Sequence, residues 1–256
     1  MMASIIPDKR KRKKISWWSV VVWLAVWQVV AMAVGQNIIL ASPIEVVRTL
    51  FALMKTGSFY ASIWFSFVRI AAGFFLAVVV GIAFAAGSYR WSVFENLVEP
   101  LMRVIKSIPV ASFIIMILVW ISSRSLSIAI SFLIVLPVVY SNVLEGFRQT
   151  DFRLLEMAKL FRVKPARAVR YIYVPQVMPY FKSACTVGLG LAWKSGIAAE
   201  VIGMPLGSMG EQLYQSKIFL DTPSLLAWTV AIVLVSYAFE KIVILLISIV
   251  QRKVVR

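Results

Sequence analysis

Residues 151–175, DFRLLEMAKLFRVKPARAVRYIYVP, form a basic, amphipathic island between two apolar runs, Leu126 to Leu144 and Met178 to Ile202. Further apolar runs lie at Trp17 to Val34, Trp64 to Ala86, Ile108 to Ile121 and Leu225 to Val250. A hydrocarbon core of about 30 Å asks for about 20 such residues, so the pattern predicts an all-α polytopic membrane protein with about six transmembrane helices. The third run is short for that thickness. Its boundary with the fourth, at Ser122, Ser123 and Arg124, leaves a five-span or re-entrant arrangement open. Composition agrees with the class: 61% of the 256 residues are hydrophobic and the mean hydropathy is +0.88, beyond what a soluble domain keeps from water.

The formal charge of +16 raises nucleic acid as a partner, but its distribution follows the membrane. Alternate inter-span segments hold six basic residues at Lys9–Lys14, then Arg90, Arg103 and Lys106, then seven between Arg148 and Arg170, then three near the C-terminus. The intervening segments hold Arg48, Lys55, Arg124 and Lys217. By the positive-inside rule this bias puts both termini in the cytoplasm and argues against nucleic acid. The first apolar run, with Ala31, Met32 and Ala33 near its end, also has the look of a signal peptide. Removing it would leave an odd number of crossings, so it is read as an uncleaved span. The organisation is then a basic cytoplasmic tail (1–15), a first span with an outer amphipathic segment (16–57), a core (58–250) containing a cytoplasmic loop (145–177), and a second cytoplasmic tail (251–256).

Side-chain chemistry narrows the function. Histidine is absent and Cys185 is the single cysteine, inside the fifth span, which removes His-based metal sites, His-assisted nucleophiles and an intrachain disulfide. No carboxylate pair suggests general acid/base work, so no catalytic or metal site is expected. Gly188 to Ser195, GLGLAWKS, nearly copies the phosphate-binding pattern G-x-x-x-x-G-K-[ST]. Trp193 stands where the second glycine should be, and an apolar helix replaces the strand and loop that the motif needs. Nucleotide is therefore expected on another chain.

The island itself divides into two helical pieces. Asp151 is suited to cap a helix in which Leu154, Leu155, Ala158 and Phe161 recur on one face while Arg153, Lys159 and Arg162 lie elsewhere. Pro165 suits the first turn of a second piece carrying Ala168, Val169 and Ile172 on one side and Arg167 and Arg170 on another. On residue physics alone, a helix resting on anionic headgroups and a protein-docking surface fit equally well.

Spacing within the island resembles the inner-loop signature of binding-protein-dependent ABC importer permeases, E-A-A, three residues, G, nine residues, I-x-L-P. Here the matching positions are Glu156, Met157 and Ala158, then Arg162, then Ile172, Val174 and Pro175. Met157 replaces alanine, and Arg162 replaces a flexible glycine, so a different bend between the two pieces is expected. The likeness extends from about Ser58 to the C-terminus: SFVRIAAGFFLA (66–77), KSIPVASF (106–113) and AWKSGIAAEVIG (192–203) look like the nitrate, sulfonate and taurine branch. The resemblance implies a type I importer transmembrane domain in a bacterial inner membrane. It further implies a second permease copy, two ATPase subunits that bind ATP and Mg, and an extracytoplasmic solute-binding protein. It makes Leu154, Leu155, Glu156, Met157, Ala158, Phe161, Arg162, Ile172 and Pro175 the ATPase-coupling set, with no cofactor on this chain. The competing reading is an ion-coupled secondary transporter, which would need internal repeats and broken helices.

Two rows of small residues recur every fourth position: Gly73, Ala77, Gly81 and Ala85 in the second span, and Ala184, Gly188, Ala192 and Gly196 in the fifth. Such rows let helices approach closely in lipid. Continued by four, they reach Arg69 and Glu200, both expected toward the outer side. Ionisable groups at that depth need a partner or water, so the two are predicted to face one another or share a cavity, as a structural ion pair or an outer gate. Lys194, about 9 Å deeper along its helix, is the candidate pathway cation. Trp17, Trp18, Trp64, Trp91 and Trp228 fall near span ends as interfacial anchors. Residues 43–53 carry apolar positions at helical spacing and are expected along the outer surface.

Overall fold

The computed structural model describes residues 17–36 and 38–254, so the basic cluster at Lys9–Lys14 and the extreme C-terminus lie outside the described residues. Its elements are α1 (Trp17–Val34), α2 (Pro43–Leu53), α3 (Gly57–Arg90), α4 (Ser92–Ser107), α5 (Val110–Leu118) and α6 (Ser123–Arg148). They continue with α7 (Phe152–Leu160), α8 (Pro165–Ala168), a π-helical turn (Val169–Tyr173), α9 (Val174–Gly203), α10 (Met209–Ile218) and α11 (Thr222–Val254). No strand occurs among the described residues.

The core is α6 clasped between α3 and α9, and the small-residue rows are what allow it. A Cβ on Gly73 would sit 2.5 Å from the Ile128 carbonyl oxygen, and one on Gly196 would sit 2.6 Å from Ile70 Cγ1 and 2.8 Å from Ser131 Oγ. Gly81 lies against Val139, and Gly188 against Val135. Both rows thus serve close packing, where dispersion holds helices together in lipid. Ser131 Oγ donates to the Ala192 carbonyl at 3.1 Å, and Tyr140 Oη donates to Ser88 Oγ at 3.1 Å, so polar ties reinforce both seams. A cluster of Phe67, Trp193 and Phe239 locks α11 onto α3 and α9.

Contacts along these seams fix chain direction. Residues 73, 81 and 88 of α3 meet 131, 139 and 140 of α6 in rising order, so those helices run parallel. Residues 188, 192 and 200 of α9 meet 135, 131 and 127 of α6 in falling order, so α9 runs antiparallel. Phe59 and Phe67 of α3 meet Trp228 and Phe239 of α11, which runs parallel to α3. One end of the bundle therefore gathers the end of α3 at Arg90, the end of α6 at Arg148, the whole 151–175 island and the end of α11. The other end gathers Arg69, Arg124, Glu200 and the start of α11.

Here the structure corrects one member of the expected set of about six spans, the third. Four segments, 57–90, 123–148, 165–203 and 222–252, are long and apolar enough to cross a membrane. The third expected span, Ile108 to Ile121, is not a crossing helix: α5 has nine residues, about 14 Å at 1.5 Å each. It follows α4 after a 103° bend. Pro109 lacks an amide hydrogen and holds Ile108 extended, at φ −78° and ψ 129°, which ends α4 there. Because α3 and α6 are parallel, the bent α4–α5 pair has to carry the chain back between them, as a fifth, broken crossing. The helix α1, with 18 residues, is at the lower edge of the usual range of about 17–25. Residues 43–53 do form the expected helix, α2, which starts with a capping box between Ser42 and Glu45.

Candidate functional site

Two regions carry the candidate residues, one at each end of α6. At the Arg148 end, Asp151 accepts a bond from the Arg153 amide through its carboxylate and starts α7, and its own amide donates to Gln176 Oε1 at 2.8 Å. The helix presents apolar side chains outward: Phe152 is 68% exposed, Leu160 82% and Phe161 78%. Leu154, Glu156 and Met157 are also exposed, Leu155 is half-buried, and Ala158 is turned inward. The expected apolar face, drawn through Leu154, Leu155, Ala158 and Phe161, is thus only partly the exposed one. Phe152 and Leu160, eight residues apart on one helix face, escaped it; they flank a shallow hollow with Leu155, Glu156 and Lys159.

Arg162 ends α7 in the left-handed region at φ +50°. Its amide donates to the Lys159 carbonyl at 3.1 Å, and the Val163 amide donates to the Ala158 carbonyl at 2.8 Å. These are the two bonds of a Schellman cap, with arginine at the position that glycine usually holds. The backbone at Arg162 takes a turn that glycine usually supplies, with its side chain in place. Ile172 lies in the π-helical turn and Pro175 at the start of α9, both half-buried. A wide turn there adds one residue per hydrogen-bonded ring and joins the island to α9 without a loop.

At the opposite end, Glu200 is fully buried. Its carboxylate accepts from Ser66 Oγ at 2.6 Å, Ser127 Oγ at 3.2 Å and the Gly210 amide at 3.3 Å. Ser66 Oγ in turn accepts from the Met209 amide at 2.9 Å. One side chain thereby joins α3, α6, α9 and the start of α10. A Cβ on Gly210 would overlap Glu200, so glycine is required for that approach. Sequence reasoning missed Ser66 and Ser127, although Ser66 lies one turn before Arg69 on the same face.

Arg69 lies at the same end of the bundle as Glu200, with no ion pair between them within 4.0 Å among the described residues. Its Nε donates to the Arg124 carbonyl at 2.7 Å, its Nη1 donates to the Phe65 carbonyl at 3.2 Å, and its guanidinium stacks 3.5 Å from the Phe65 ring centroid.

Lys194 is exposed on α9 and has no side-chain partner among the described residues. It belongs to a stripe with Ser183, Thr186, Gly190 and Ala198, all accessible or half-buried. A lipid-facing helix shows large aliphatics instead, as α11 does with Val233, Leu234, Ile242, Leu245 and Leu246. The phosphate-like stretch, Gly188 to Ser195, lies wholly inside α9, with its amides committed to the helix and Trp193 buried.

The described residues form an all-helical bundle with membrane-length apolar helices and an exposed amphipathic segment between α6 and α9, the architecture of a polytopic membrane protein. The chain belongs to the family described as binding-protein-dependent transport system inner membrane component, which matches residues 77–256. It is an ABC importer permease of the nitrate, sulfonate and taurine branch. Among its relatives, the putative aliphatic sulfonates transport permease protein SsuC of Bacillus subtilis strain 168 is 25% identical over 255 residues, 95% of this chain and 90% of that one. The taurine transport system permease protein TauC of Escherichia coli K12 is 22% identical, covering 93% and 94%. The nitrate import permease protein NrtB of Synechocystis is 24% identical, covering 79% and 78%. In fold, the chain is similar to the inward-facing MetNI methionine ABC transporter, with a TM-score of 0.57 at 16% identity, over 76% of this chain and 95% of that one.

Proposed function

We propose that this permease carries a small anionic solute, of the sulfonate, taurine or nitrate kind, through a pathway shared by two identical copies. The exposed polar stripe of α9 lines that pathway, with Lys194 as its cation and the Glu200 cluster, beside Arg69, holding the outer end. The coupling surface is α7 with its Schellman turn, comprising Leu154, Leu155, Glu156, Met157, Ala158, Phe161 and Arg162, with Ile172 and Pro175 anchoring the return to α9. It docks on a separate ATPase that binds ATP and Mg, so this chain hydrolyses nothing. Both termini are cytoplasmic in a bacterial inner membrane, and a solute-binding protein delivers solute from outside. The observation that carries this reading is a capped helix whose Phe152, Leu160 and Phe161 point into solvent from the basic end of the bundle, an apolar display that asks for a partner.

The test is to tag the chain, extract it in mild detergent from its native host and weigh the intact assembly. Two permeases with two ATPase subunits are expected, and Leu160→Glu should strip the ATPases while leaving the permease folded. A lone chain that transports with an ion gradient would overturn the proposal in favour of secondary transport.

A further inference from the structure

Between the ends of α3 and α6 and the start of α9 lies a cavity of about 590 Å³, within the roughly 300–1,000 Å³ range of small-molecule sites. Its walls are almost wholly apolar: Ile82 and Ala86 come from α3, and Val177, Met178 and Phe181 from α9. The single charge on its wall is Arg90, an exposed guanidinium with no carboxylate partner among the described residues. Tyr89 and Tyr173, whose ring centroids are 5.9 Å apart, flank the mouth beside it. Aromatic rings with a polar tip gather at the headgroup level of a bilayer, so the cavity opens at that level on the basic end of the bundle.

We infer that this cavity binds an anionic phospholipid of the cytoplasmic leaflet, with one acyl chain inside it and the phosphate on Arg90. Water is a poor occupant because the walls offer it almost no hydrogen-bond partners. A free anion is equally poor, since nothing but the rim carries charge. A phospholipid satisfies both parts at once: a chain for the apolar walls and a negative headgroup for the unpaired cation. The site also touches the coupling apparatus. Val169 and Tyr173 of the π-helical turn line it, so the bound chain wedges between the end of the island and the α3–α6 core. Lipid composition would then set how firmly the coupling helix is held to the bundle. The cytoplasmic assignment rests on the orientation proposed above; the lipid site itself does not.

Native mass spectrometry of the whole importer, released from nanodiscs of equal phosphatidylglycerol and phosphatidylethanolamine, reads lipids and subunits together. The wild type is expected to retain phosphatidylglycerol in preference. Arg90→Gln should keep the lipid but reduce that preference about fivefold, the effect of one juxtamembrane cation at about 1 kcal/mol. Ala86→Phe, which fills the cavity from an accessible wall position, should remove the retained lipid. A photoreactive residue in place of Phe181 should crosslink to lipid. Crosslinks to residues 1–16, to the second permease or to the ATPase would overturn the inference, as would equal lipid retention by wild type and Ala86→Phe. Absence of ATPase subunits from the same spectra would count against the coupling reading alone.

Discussion

Arg162 adopts a left-handed backbone that costs a residue with a side chain about 1–2 kcal/mol. The Schellman bonds at Val163 and Arg162 hold it there. Arg162→Gly is therefore expected to stabilise the chain by about 1 kcal/mol and raise the midpoint of thermal unfolding, whereas Arg162→Val should lower it. At the other end, Ser66→Ala removes a 2.6 Å bond from a fully buried carboxylate. The expected loss is about 1–3 kcal/mol, read as a lower unfolding midpoint, with Ser66→Thr largely restoring it. Much of this chemistry was legible only in part. Row spacing brought Arg69 and Glu200 to the same end of the bundle, yet their partners are two backbone carbonyls for Arg69 and two hydroxyls and a backbone amide for Glu200. A main-chain acceptor such as the Arg124 carbonyl leaves no trace in side-chain pattern, and Ser127 reaches Glu200 only through the register of α6 against α9.

At the scale of elements, small-residue rows translated directly into seams, because a four-residue repeat keeps them on one helix face. Gly196 and Gly190 lie six residues apart on α9 with opposite surroundings: one abuts Ile70 and Ser131, the other has nothing within 4 Å. Gly196→Ala should destabilise by about 1–3 kcal/mol through overpacking, while Gly190→Ala should leave the unfolding midpoint of the purified chain no lower, since a helix favours Ala over Gly by up to about 1 kcal/mol. Apolar run length was a poorer guide. It marked α6 and α9 correctly but read Ile108 to Ile121 as one span, because hydropathy averages over the Pro109 break and cannot register a 103° change of direction. In α7 the helix and its Asp151 cap were evident, whereas its inward side was misjudged, since burial of Ala158 depends on how the Schellman turn folds back.

For the whole molecule, the parallel run of α3, α6 and α11 puts Lys164 and Lys217 at opposite ends. Cys185 is buried, so single cysteines introduced in a Cys185→Ala background report sidedness cleanly. In intact cells, Lys217→Cys is expected to react with an impermeant maleimide, and Lys164→Cys only after the membrane is opened; the reverse pattern would invert the proposed orientation. Lys194→Met should reduce solute uptake at least tenfold with ATPase subunits still bound. Uptake unchanged in that variant would remove Lys194 from the pathway.

Helix α6 joins these two ends as one helix of 26 residues with Pro137 inside it, about 39 Å long. Its last turn runs into the α7 island, and its second turn supplies Ser127 to Glu200. A tilt of about 5° at one tip displaces the other by about 3 Å at this length. If the proposed ATPase docks on α7, a push at that end would reach the buried Glu200 socket along a single helix, with Pro137 as the one built-in flexure between them.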